Sequence, residues 1–245
     1  MSRSSEGKGA ALIPARFAAR PNRFIVEAAL NDGRQVQAHL ADPGRLLELL
    51  LPGAELRLRP VAPESERRTR YTVALVRSSE PPRVWVSVDT TLPNRLARRL
   101  LEEGRVRGAP RGCTVRPEVR HGASRFDFEL RGDGGDSMLV EVKSVTLVEN
   151  GVALFPDAPT VRGARHVREL AAHAGNGGRA MVLFVVQRDD ARLVRPNPVT
   201  DPDFALALSE ARGAGVLLRA ARFRLTPSGR ATWLGPLPVR AGNRG

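Results

Sequence analysis

A carboxylate and an ammonium stand one residue apart in the run Val140-Glu141-Val142-Lys143-Ser144, and a second carboxylate, Asp127, precedes them in Arg125-Phe126-Asp127-Phe128-Glu129-Leu130. Two acids and an amine brought together can hydrolyse phosphodiesters. The acids hold a divalent cation that polarises the phosphate and activates water, and the amine orients the nucleophile or neutralises developing charge. Lysine is a telling choice here, because of 39 basic residues only Lys8 and Lys143 are lysine and the rest are arginine. Arginine stays protonated, whereas lysine is a compact point charge whose pKa shifts readily. A solvated strand end or a structural ion pair would also place one lysine, so the surrounding residues must decide.

The elements that position these groups read as two adjacent strands. Alternation puts Phe126, Phe128 and Leu130 on one face and Arg125, Asp127 and Glu129 on the other; on the next strand Val140 and Val142 share the apolar face, Glu141 and Lys143 the opposite one. With the Gly-rich turn Arg131 to Ser137 closing a hairpin and Leu130 facing Met138, Asp127 falls opposite Glu141 and Arg125 opposite Lys143. Acids directly across a ladder, with Cβ atoms ~4.5 to 5.5 Å apart, repel unless a cation lies between them. Oxygen-only ligands, few in number, suit Mg2+ or Mn2+ better than zinc. Glu118, on the preceding strand, is the candidate for a further metal ligand, its alternative being a solvated strand residue.

At 245 residues and 42% hydrophobic, the chain can bury the cores of two modest domains. A net charge of +13 makes a polyanion the expected partner, although a generally arginine-rich composition would also yield a basic protein. No stretch approaches the ~20 apolar residues of a membrane span, and Met1 to Gly9 lacks the apolar region of a secretory signal. A soluble, cytoplasmic protein with no membrane partner is expected; no feature assigns an oligomeric state. The single cysteine, Cys113, excludes an internal disulfide, and His39, His121, His166 and His173 show no short ligand spacing.

Residues 23 to 40 read as a hairpin around Asn31-Asp32-Gly33, followed by a helical piece at Arg45 to Leu51 and strands at Glu55 to Arg59, Tyr71 to Arg77 and Arg83 to Val88. Five short strands with one helical insertion fit an OB-type barrel over residues 13 to 88. Beyond Asp89 the order is helix (93 to 103), three strands (114 to 119, 125 to 130, 138 to 145), helix (162 to 174), strand (180 to 187), helix (203 to 212) and strand (216 to 224). That order predicts an α/β second domain over 89 to 235, α+β for the chain overall, with a loose tail after Pro236.

Asp127 with Glu141-Val142-Lys143, in this frame of elements, resembles the PD-(D/E)xK nuclease superfamily. Within it, Ser124 to Phe128, Val140 to Leu147 and Phe155-Pro156-Asp157-Ala158-Pro159-Thr160-Val161-Arg162-Gly163 resemble the sugar fermentation stimulation protein A (SfsA) family. Ala38-His39-Leu40 with Gly44-Arg45-Leu46, and Val88-Asp89-Thr90 with Pro93-Asn94, extend the likeness, which covers roughly residues 13 to 225. Phe126 replaces the superfamily's proline, and Ala41-Asp42-Pro43 replaces an expected Pro-Asn-Thr. The resemblance implies an N-terminal OB fold, a restriction-endonuclease-like mixed sheet flanked by helices, and weakly sequence-selective DNA binding. It also implies metal held by Asp127, Glu141 and the backbone carbonyl of Val142, with Lys143 catalytic. The alternative is a DNA-binding regulatory protein linked to sugar metabolism that keeps the scaffold without turnover.

Nucleic-acid contacts are expected from Arg67, Arg68 and Arg70 in a basic loop of the barrel, from Arg125, and from Arg162 and Arg165 where a proline-rich loop feeds a helix N-terminus. Asp157 reads equally as a site residue or a turn cap. His166 reads as a solvated helix histidine rather than a base, and Gln187-Arg188 as a strand end either reaching the site or meeting solvent.

Overall fold

The computed structural model describes residues 11–122 and 124–242; Lys8 and the leader Met1 to Gly9 lie outside them. The chain forms two compact units. Asp89 closes the first and Thr90 opens the second, the turn Thr226–Arg230 belongs to the first, and Ala231 returns to the second.

The first unit is built on β1 (Ile13–Asn22), β2 (Ile25–Leu30), β3 (Gln35–His39), β4 (Glu55–Pro60), β5 (Tyr71–Arg77) and β6 (Trp85–Ser87). Antiparallel pairing joins β3, β2, β1, β4 and β5 in that order, and the parallel pairs Ala38↔Tyr71 and His39↔Thr72 close the ring. This five-strand circuit is the OB barrel. Alternate residues fill it, among them Phe17, Val26, Leu56, Leu58 and Val73. Strand β1 escapes the sequence pattern because its arginines and prolines break the apolar alternation, and the expected first strand starts instead in the Asn22–Ile25 turn. No helix forms at Arg45 to Leu51. That segment is turns, with Leu46 at φ +50° and both Leu46 and Leu49 buried against the barrel core.

The second unit opens with α1 (Leu92–Glu102), whose buried stripe is Leu96, Leu100 and Leu101. Its main sheet contains β7 (Thr114–His121), β8 (Ser124–Arg131), β9 (Ser137–Val145), β12 (Arg179–Val186), β14 (Leu217–Leu225) and β15 (Ala231–Leu237), in the spatial order β15-β14-β12-β9-β8-β7. Strands β7, β8 and β9 form an antiparallel meander, and β9, β12 and β14 run parallel. Strand β12 is an unbroken apolar run because both its faces are covered. One face packs on α1, the other on α2 (Val161–Gly175) and α3 (Pro202–Gly213).

Between β9 and α2 lies an unexpected hairpin, β10 (Leu147–Glu149) and β11 (Val152–Phe155), which β13 (Leu193–Pro196) extends to a small sheet. Asn150-Gly151, both at positive φ, make its turn, and that dipeptide is a hairpin signal present in the sequence. As far as Gly242 the expected tail is not loose; its last three residues lie outside the described residues. Leu237 ends a strand, Val239 bridges Val194, and Ala241 is buried. Among the described residues, no helix is long and apolar enough to cross a membrane.

Candidate active site

The hairpin of β8 and β9 keeps the expected register, with Leu130 opposite Met138 and Phe128 opposite Val140, and there the ladder stops. Asp127 therefore does not pair with Glu141 across the strands. Its Oδ2 accepts the Val142 backbone N–H at 2.7 Å and its Oδ1 accepts Asn94 Nδ2, from the first turn of α1, at 2.8 Å. The β7 side is irregular at the same place: Glu118, which would face Asp127, sits at φ +56°, and the two are missing from a β7–β8 ladder that is otherwise in register. Beyond this break the face also changes. Phe126 packs into the α2 side with Leu139, while Phe128 and Leu130 pack on the α1 side, so the three residues do not share one face as alternation predicted.

Asp127, Glu141 and Lys143 line one cavity of about 280 Å³, together with Asn94, Ser144 and Arg162. Glu141 Oε1 accepts both Lys143 Nζ and His166 Nδ1 at 2.8 Å; its other oxygen takes part in neither contact. His166 is only 2% exposed. Arg162 Nε donates to its Nε2 at 3.4 Å, and since a guanidinium only donates, the ring proton resides on Nδ1 and points at Glu141. Burial pushes the Asp127 carboxyl above its ordinary range, the negative Glu141 pushes it further, and the Val142 N–H, Asn94 and Lys143 pull the other way.

Helix α2 is aimed by a shared cap. Asp201 accepts Phe204 N through Oδ1, starting α3, and Thr160 N through Oδ2, while Thr160 Oγ1 caps α2 through Gly163 N. This fixes the first turn that carries Arg162.

Glu118 stands apart from the acids. It is exposed and paired with Arg125 at 2.9 Å, because its left-handed backbone turns it out of the ladder. The structure does not bring Glu118 into the cavity of Asp127 and Glu141, and among the described residues no group of three or more His, Cys, Asp or Glu side chains converges as metal ligands. Arg125, Arg165 and the loop residues Arg67, Arg68 and Arg70 are all exposed; Arg70 Nη1 braces its loop through Pro63 O at 3.0 Å. Asp157 is half-buried outside the cavity lining. Gln187 and Arg188 do not meet solvent: Gln187 Nε2 donates to Ser144 Oγ at 2.9 Å, and Arg188 is buried against Asp190 at 2.6 Å.

His166 and Asn94 are site residues that the sequence reading did not assign. For His166 a signal existed: Gly163, His166, Val167 and Leu170 make an i, i+3, i+4, i+7 stripe that marks the buried face of α2. Replacing His166 with alanine is expected to cost about 2–4 kcal/mol in urea denaturation, since it strips a buried carboxylate of a donor and leaves a void. Arg165→Ala, on the exposed face, should stay within about 0.5 kcal/mol.

A five-strand OB barrel followed by a helix-flanked mixed sheet, with two acids and a lysine at its central hairpin, defines a two-domain protein of barrel and α/β sheet. Residues 19–88 match the model for the SfsA N-terminal OB domain and residues 91–229 that for the sugar fermentation stimulation protein RE domain. The chain belongs to the sugar fermentation stimulation protein family. The sugar fermentation stimulation protein homolog of Moorella thermoacetica is 50% identical over 88% of this chain and 91% of its own, and that of Chloroflexus aurantiacus 46% over 90% and 83%. Among solved structures, Pyrococcus furiosus SfsA in complex with Ca2+ superposes with a TM-score of 0.84 at 31% identity, covering 94% of this chain and 96% of that one.

Proposed function

We propose that this protein binds DNA in the cytoplasm and hydrolyses phosphodiester bonds at the Asp127–Glu141–Lys143 cavity with Mg2+ or Mn2+. The observation that carries the reading is the convergence of two acids in one cavity, with a lysine ammonium 2.8 Å from the buried one. The donor set fits a hard cation. It is all oxygen, and the raised Asp127 carboxyl reflects negative charge held out of water beside another acid. The Ca2+ complex of the Pyrococcus relative supports the same class of ion.

Asp127, Glu141 and the Val142 carbonyl would hold the cation, which when bound polarises the phosphate and lowers the pKa of water. Asn94 and the Val142 N–H orient Asp127; His166 orients Glu141. Lys143 Nζ would orient the attacking water and offset charge developing on the phosphate, and Arg162 would grip a non-bridging oxygen; both line the cavity. Arg67, Arg68, Arg70, Arg125 and Arg165 serve as sequence-independent backbone contacts.

The second reading, a DNA-binding regulatory protein linked to sugar metabolism that does not turn over, is favoured by the two-carboxylate site and by the near-complete burial of Lys143. Incubation of the protein with single-stranded, double-stranded and branched DNA plus Mn2+ or Mg2+ separates the two. Cation-dependent cleavage is expected; salt-sensitive binding with no product would leave the regulatory reading. Independently, Arg67→Gln combined with Arg68→Gln is expected to reduce the slope of log K against log salt on duplex DNA by about 2, close to one unit for each phosphate that is no longer neutralised.

A further inference from the structure

At the opposite end of the central strands from Lys143, where β9, β12 and β14 begin, a cavity of about 390 Å³ is lined by Arg107, Arg179 and Arg219 and by no acidic residue. About five residues of strand, on the order of 17 Å, separate its Met138 from Lys143. Two of the arginines are braced by main-chain carbonyls of one loop. Arg219 Nε donates to Arg107 O at 2.7 Å and Arg179 Nη2 to Gly108 O at 3.0 Å, while Arg219 Nη1 is held by Leu218 O at 2.9 Å. Asp136, at 3.3 Å from Arg179, is the one acid paired with any of the three among the described residues, and both partners of that pair are exposed.

A purely structural role accounts for Arg179 and Arg219, which clamp the loop. It does not account for Arg107. Its guanidinium makes no hydrogen bond or ion pair among the described residues, yet it lines the same cavity as two cations. The half-buried Arg219 is held by carbonyl oxygens alone, with no acid paired to it among the described residues. Gly108 makes the close approach possible, since at φ +92° a Cβ there would lie 2.7 Å from Leu217 Cδ1 and 3.4 Å from Arg219 Nη2.

We propose that this cavity is an anion site for a multiply charged phosphate, with Arg107 as the gripping residue and Arg179 and Arg219 as a preset cradle. Guanidiniums held in fixed orientation present forked donors that match phosphate oxygens and lose little entropy on binding. Two sources share that chemistry, a nucleic-acid backbone and a phosphorylated small molecule.

Isothermal titration with inorganic pyrophosphate, in chelator and low salt, tests the site on the full chain. Arg107→Gln, which removes no bond within the fold, is expected to weaken binding about tenfold or more, consistent with loss of a charge-assisted hydrogen bond. Arg83→Gln, an exposed arginine of the barrel, should leave binding nearly unchanged, and Arg162→Gln reads any pyrophosphate held instead in the active-site cavity. Equal weakening by Arg83→Gln would reduce the effect to net charge and overturn the proposal, as would weakening by Arg162→Gln alone or an absence of wild-type binding. A parallel titration with single-stranded DNA names the source. A salt slope lowered by about 0.7 in Arg107→Gln identifies the nucleic-acid backbone, and an unchanged slope identifies a small phosphate.

Discussion

Lys143→Met should lower cation-dependent DNA cleavage by about 10²- to 10⁴-fold while leaving DNA affinity nearly unchanged, the range typical of removing one positioned acid–base or electrostatic group. Methionine keeps the stem's bulk but carries no charge, so the packing between strands survives. Glu141 retains its second donor, His166, which limits the penalty of leaving a buried carboxylate with one partner fewer. Lys143→Arg separates charge from chemistry, because guanidinium restores the positive charge but neither the compact geometry nor the adjustable pKa of the ammonium. Both variants should be slow in a single-turnover assay run below their melting temperatures, which should lie under that of wild type because the buried Glu141 loses or must rearrange one of its two donors. Cleavage that persists in Lys143→Met would sink the catalytic role of the residue.

Asp127→Asn is expected to have opposite effects on cleavage and on stability. Cleavage should fall to background, because an amide is a poor substitute for a carboxylate in holding a divalent cation. Stability without metal should rise. Burial and the negative Glu141 raise the Asp127 carboxyl above its ordinary value, so the folded state takes up that proton more readily than the unfolded one. Stability is then lost as pH rises from the ordinary value of 3.8 through the raised one, and above that window the ionised acid works against the fold.

Asparagine removes the charge, and Asn94 can rotate its own amide to accept from the new N–H while the Val142 N–H keeps an oxygen acceptor. At pH 7 to 8 in chelator, Asp127→Asn should melt about 2–4 °C above wild type. The gap should close below the ordinary carboxylate range. Millimolar Mn2+ should reverse the order, since a cation at 100 times its Kd adds about 2.7 kcal/mol to a protein that binds it and nothing to one that does not. Thermal melts across pH with and without Mn2+ read all three points, and a melting temperature unmoved by Mn2+ in wild type would argue against the metal site.

Strand alternation is a local property of the extended backbone, and it put Glu141 and Lys143 on one side of β9 before any fold was known. The same locality made α1 readable from Leu96, Leu100 and Leu101. It failed where the pattern was diluted. Strand β1 mixes Pro14, Arg16, Arg20 and Pro21 with its core residues, and only closure of the barrel reveals it as a strand.

The β8–β9 register and the chemical inventory, two acids and one of only two lysines, were properties of the sequence alone, because hairpin pairing is governed by neighbouring residues. What Asp127 touches was decided elsewhere. Asp127 drops out of the ladder on both sides, opposite a left-handed Glu118, and α1 arrives from thirty-three positions upstream to supply Asn94. His166 likewise became a donor to Glu141 only because α2, aimed by the cap it shares with α3, lays its buried stripe over the sheet. Such contacts depend on how helices pack across a sheet, and no periodicity within a single element encodes a distance between two of them.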